Sequence, residues 1–132
     1  MSIIGAGVSL NGMEHDDFHY PFRLASGITS ADVGKAVALD TTAANTVKLA
    51  GDGDTIVGKL VTVENRVTEG ILVGTVALKG GFAFTIKSGQ TVAVGATAVG
   101  AGGGEIKAAT TPNHAVNMVV QVSGSVAIVV KP

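Results

Sequence analysis

The residues best equipped for chemistry stand together near the start of the chain, as His15-Asp16-Asp17-Phe18-His19. Imidazoles and carboxylates are the usual zinc or iron ligands and the usual general acids and bases. A catalytic metal needs ligands fixed by rigid elements and oriented by outer partners. Here every candidate lies on one short stretch, and His114 is the only other histidine. The cluster therefore reads as a surface or structural feature and not as a metal site. The charge of His15 and His19 changes near neutrality, which would suit a pH-sensitive contact, but nothing in the sequence selects that role.

Two further patterns resemble chemical motifs and lack their context. Gly100–Gly104 (GAGGG) is followed by a short apolar stretch around Ile106, whereas a phosphate loop opens a helix and carries Gly-Lys-Ser/Thr. It reads as a flexible β-turn. Lys87–Gly104 has the cadence of lysine-carrier β-domains, but Met118 has no flanking lysine, and Lys79 and Lys87 sit in unlike contexts. No Gly-x-Ser-x-Gly elbow is present, and the absence of cysteine excludes thiolate chemistry and disulfides. The chain reads as non-enzymatic, with no cofactor.

What remains is a candidate for binding. Phe18, Tyr20 and Phe22 are three of the five aromatic residues, spaced by two, with Arg23 beside them. In an extended segment all three rings point to one side, with His19, Pro21 and Arg23 on the other, and Pro21 favours extension of the residue before it. Two readings stand side by side: an extended arm that reaches a partner, or the first strand of the domain with its aromatics in the core. The division adopted is an N-terminal arm over residues 1–26 and a β-domain over 27–132.

Composition supports a small β-domain with shared surfaces. The 132 residues fit one domain, and a domain near this size buries roughly two thirds of the surface of its unfolded chain. Apolar residues make up 46% but aromatics only 4%, so Val, Ala, Ile and Leu must build the core, with Phe82 and Phe84 its bulkiest members. Charged residues are 14% and the net charge is −1, which provides no basic stripe for nucleic acid. So little charge implies that partners cover much of the surface. The first residues lack the pattern of a secretory signal, and no apolar run approaches the ~18 residues of a membrane span.

The organising stretch is Thr55–Leu78, in which Leu60–Glu64 and Ile71–Leu78 are rich in β-branched residues and flank a polar connector, a hairpin pattern. Further strands are expected at Lys35–Asp40, Asn45–Ala50, Phe82–Ile86, Glu105–Ala108, Val116–Val122 and Val126–Val130, the last two joined through Gly124. Lys87–Gly104 should hold short, closely packed strands. No helical periodicity competes with this pattern. The expected fold is all-β, a small β-sandwich or partly open β-barrel with an extended N-terminal arm.

The runs SADVGKAVALD, NTVKLAGDGDTIVGKLVTVEN and EGILVGTVALKG within Thr29–Gly80 resemble the capsid decoration, or cement, proteins of tailed bacteriophages. The resemblance implies a structural virion protein, a homotrimeric β-domain on the outer surface of the capsid, made in the host cytoplasm. Its partners would be the major capsid protein and itself, with no nucleic acid and no membrane. It would clamp neighbouring capsid subunits through Phe18, Tyr20, Phe22 and Arg23, the last giving a charge-assisted bond to a carboxylate or carbonyl, and strand addition would be its mode of docking. The alternatives are a tail or baseplate module, or a small-ligand or carbohydrate-binding β-domain that uses Phe82 and Phe84 as platforms.

Overall fold

A computed structural model describes residues 15–66, 71–113 and 116–131. It is all-β. Nine strands are present among these residues: β1 (His15–Leu24), β2 (Ala36–Leu39), β3 (Thr46–Leu49), β4 (Gly58–Arg66), β5 (Ile71–Thr85), β6 (Ala98–Gly102), β7 (Glu105–Ala108), β8 (Met118–Ser123) and β9 (Val126–Lys131). The first five form a closed barrel in the order β1-β3-β2-β4-β5, with β5 returning to β1. The β1–β3 pair is parallel and the other barrel pairs are antiparallel.

Side-chain alternation divides the interior into two cores. Leu24, Val37, Val47, Leu60 and Val76 point into the barrel and are buried, with Ile28 closing the set. On β2 the neighbours Ala36 and Ala38 point the other way and are equally buried, because a second layer covers that side. There they meet Ala77, Phe82, Phe84, Ile106, Val119 and Val129. Valines fill the barrel and alanines face the second layer, which lets the two layers approach closely.

The sequence places separate strands at Ile71–Leu78 and Phe82–Ile86; they form one strand, β5, which runs through Gly80 and Gly81. Its first half pairs with β4 and β1, and its second half pairs with β9. Regular alternation would put Phe82 and Phe84 on the barrel-facing side with Val76, yet they share the second core with Ala77. Gly80, at φ +122°, makes that change of face.

The region 87–97 departs from the expectation of several short strands. It is mostly turns, tied down by single backbone bonds such as Gly95 N–H to Val119 O at 2.9 Å and Val119 N–H to Ala96 O at 2.8 Å. The glycine-rich run is not a flexible turn along its length: it forms β6 and the tip of the β6–β7 hairpin. Its backbone lies against the Gly51–Asp54 turn, with Gly53 N–H donating to Gly100 O and Gly100 N–H to Asp54 O, both at 2.8 Å.

Thr29–Asp32 is a small capped turn ahead of β2. Asp32 accepts from Thr29 N–H at 2.9 Å and from Lys35 Nζ at 2.9 Å, while Thr29 Oγ1 accepts from Ala31 N–H. The Thr29 amide and then Lys35 hold the Asp32 carboxyl below its ordinary pKa. A carboxylate with a depressed pKa stabilises the fold at higher pH, and that contribution disappears as pH falls through the lowered value, below about pH 4. Asp32→Ala should therefore cost about 1 kcal/mol near neutral pH, and the difference from wild type should vanish in acid. Urea denaturation at pH 7 and pH 3 checks this; an equal deficit at both would show that packing, not charge, is responsible.

Candidate functional site

The described part of the segment assigned to an arm, residues 15–24, is a wall of the barrel. It pairs with β5 from His15 opposite Gly81 to Arg23 opposite Val73. For these residues the strand part of the second reading agrees, but its placement of the aromatics in the core does not, since Tyr20 lies at the surface. Residues 1–14 and the side chain of Phe18 lie outside the described residues. Tyr20 and Phe22 do share one face, as their spacing requires, and Leu24 continues that row into the barrel core. Phe22 is half-buried against this core, whereas Tyr20 is 48% exposed. Their rings meet edge to face, with centroids 5.3 Å apart and planes at 62°, a favourable aromatic geometry. The pair is thus anchored at one end and presented at the other.

The seam between β1 and β3 is short. Only Arg23 opposite Thr46 and Leu24 opposite Val47 are in register. Arg23 N–H donates to Asn45 O at 2.8 Å and Ala25 N–H to Val47 O at 2.9 Å. Odd residues of β1 therefore direct their backbone toward β3, and by the same alternation residue 21 faces that edge. It is proline, which has no N–H to lose there. This position also blunts the edge against pairing with another strand.

Asn45 is held where it is by the turn from Asp40 to Thr46. Asp40 accepts from Thr42 Oγ1 at 2.6 Å and from Thr42 N–H at 2.9 Å, and its own N–H donates to Thr46 O. The Thr42 hydroxyl and amide lower the Asp40 pKa, so the turn keeps its charge across the physiological range. Asn45 itself takes φ +54°, a left-handed geometry that asparagine tolerates. Sequence reasoning did not single it out; the signal available was an asparagine closing a polar turn. Val73 was also missed, because only the β1–β5 register brings it to Arg23.

Tyr20, Pro21, Phe22, Arg23, Asn45 and Val73 line a shallow depression of about 350 Å³ along β1. Arg23 is exposed, and no carboxylate of a described residue pairs with it. By contrast Lys35, Lys48 and Lys107 are paired with Asp32, Asp54 and Asp52. No family model matches this chain, and neither a curated protein nor a solved structure does.

An open groove of about 330 Å³ runs between the Lys87–Thr91 turn and the β8–β9 hairpin, and no carboxylate, imidazole or aromatic ring lines it. Among the described residues no cluster of three or more metal-ligating side chains occurs. Phe82 and Phe84, the platforms required by the carbohydrate-binding alternative, are 0% and 1% exposed. They are core residues, with ring centroids 5.8 Å apart.

Proposed function

We propose that this chain is a non-enzymatic capsid decoration protein of a tailed bacteriophage, a homotrimer that bridges neighbouring major capsid proteins on the outside of the head. The observation that carries the reading is the Thr29–Gly80 stretch, whose glycine and valine pattern resembles those proteins. Three physical features support it. Charge is sparse at 14% of residues, Tyr20, Leu39 and Val94 are exposed large apolar side chains, and the aromatic pair on β1 sits on a rigid barrel next in the strand to Arg23, which no carboxylate of a described residue pairs with. Exposed aromatics and arginine are the residue types that dominate binding at interfaces.

Trimerisation would make the second and third contacts of each molecule intramolecular and raise avidity without new chemistry. Docking through β1 takes place by side chains in this scheme, since one edge of that strand is committed to β5 and the other carries Pro21. Mixing the purified protein with expanded, undecorated heads of its own phage tests the reading. The expected result is saturable co-sedimentation at a fixed ratio to capsid subunits and heads that survive to higher temperature. Tyr20→Ala should weaken this binding about tenfold or more. Wild-type protein that stays in the supernatant at every head concentration overturns the proposal.

A further inference from the structure

We infer that the depression along β1 takes a polypeptide segment presenting a carboxylate beside an apolar side chain. The inference rests on the decoration reading for the identity of the partner, and on the depression alone for its chemistry. Arg23 is the one charged residue among the six that line the site, and the rest of the lining is aromatic, aliphatic or neutral. A guanidinium with no carboxylate of its own is completed by one from a partner, through bonds stronger than those between neutral groups. The Tyr20 and Phe22 rings stand on the opposite face of β1 from Arg23 and its cross-strand neighbour Val73, and the depression is lined from both faces; the rings meet the apolar neighbour.

The shape and charge select the class of ligand. A small acid would keep most of its surface in water in so shallow a depression, whereas small-molecule sites enclose most of their ligand. A phosphate backbone needs several cations in a row, and the site offers one. Pro21 at the outward edge of β1 removes the N–H that an added strand would bind, so the segment docks by its side chains while its backbone stays apart. Asn45, fixed by the Asp40 turn, adds an amide able to donate and accept at the rim.

Two experiments separate this inference from the reading it rests on. In the first, full-length protein is co-sedimented with undecorated heads as wild type, Arg23→Glu, Arg23→Lys and, as a control for charge elsewhere, Lys79→Glu. Arg23→Glu should lose about tenfold or more in affinity, while Arg23→Lys and Lys79→Glu stay within about threefold of wild type. In the second, isotope-labelled full-length protein is titrated with a blocked tetrapeptide holding a phenylalanine next to an aspartate, and with its asparagine counterpart. The aspartate peptide should shift the amides of Tyr20, Phe22, Asn45 and Val73, and the asparagine peptide should shift them far less.

Heads that bind wild type and Arg23→Glu equally overturn the inference and leave the decoration reading standing. Peptide shifts at this site without head binding support the inference and remove the decoration reading. Equal shifts from both peptides overturn the requirement for a carboxylate. Retained thermal unfolding of each variant shows that the loss belongs to the surface, since Arg23 is exposed and no carboxylate of a described residue pairs with it.

Discussion

Phe82→Ala is expected to lower the free energy of unfolding by about 3–5 kcal/mol, the range for emptying a fully buried aromatic position. Phe82 is 0% exposed and lies where the second half of β5 meets β9, opposite Val129. Its surroundings cannot collapse easily into the gap. The neighbours include Ala36, Ala38 and Ala77 on the barrel wall, which have no side chain to extend, and Phe84, already in ring contact. Against a typical total of about 5–15 kcal/mol this is a large fraction of the stability. Phe82→Leu keeps most of the volume and should cost clearly less. Urea unfolding of both variants decides the matter: equal, small losses would mean that the second core is not the principal one.

Gly100→Val should be nearly as damaging, at about 3 kcal/mol, for the opposite reason. A Cβ at this position would overlap the carbonyl oxygen of Gly51 and approach the Cβ of Ala50 to 2.9 Å. Backbone cannot swing aside as a flexible side chain can, so the cost belongs at the upper end of overpacking. The β6–β7 hairpin would lift from the Gly51–Asp54 turn and lose the paired bonds between Gly53, Asp54 and Gly100. Hydrogen exchange should show loss of protection at the Gly53 and Gly100 amides, with a drop of roughly 10 °C in melting temperature. Unchanged protection at both amides would refute this docking.

The same residue shows where sequence reasoning reached and where it stopped. The sequence reads Gly100–Gly104 as a flexible β-turn followed by a short strand; the strand is β7, while the run itself is β6 and the tip of the hairpin. That Gly100 is needed for contact with Gly51 depends on a long-range approach that no local pattern encodes. The strands around Val37, Val47, Leu60 and Val129 were legible from β-branched runs between turns, and the burial of Phe82 and Phe84 from their bulk. Fusion of two strands into β5 was hidden by Gly80 and Gly81, which read as a break and instead serve as a change of face.

At the candidate site, alternation correctly put Tyr20 and Phe22 on one side. It could not decide between arm and strand, since an aromatic row suits either; for His15–Arg23 the strand follows from pairing with distant β5. Arg23 stands out by its place next to the rings in the strand, but its lack of an acidic partner among the described residues follows only from where Asp32, Asp52 and Asp54 came to rest, each beside a lysine. Strand addition, expected for an extended aromatic segment, loses its support once Pro21 is seen to face the outer edge.

The closure of the barrel by β1 carries a consequence for the order of events during synthesis. β1 emerges from the ribosome before any strand it pairs with, and its principal partner β5 is made only after β2, β3 and β4. Until then Tyr20, Phe22 and Leu24 have no barrel to enter. Closure joins residues far apart in the chain, the kind of contact that slows folding because its loop entropy must be met before it gains anything. Among the described strands the nascent β1 row is therefore exposed for the longest time, which makes it the strand most in need of protection before the barrel closes.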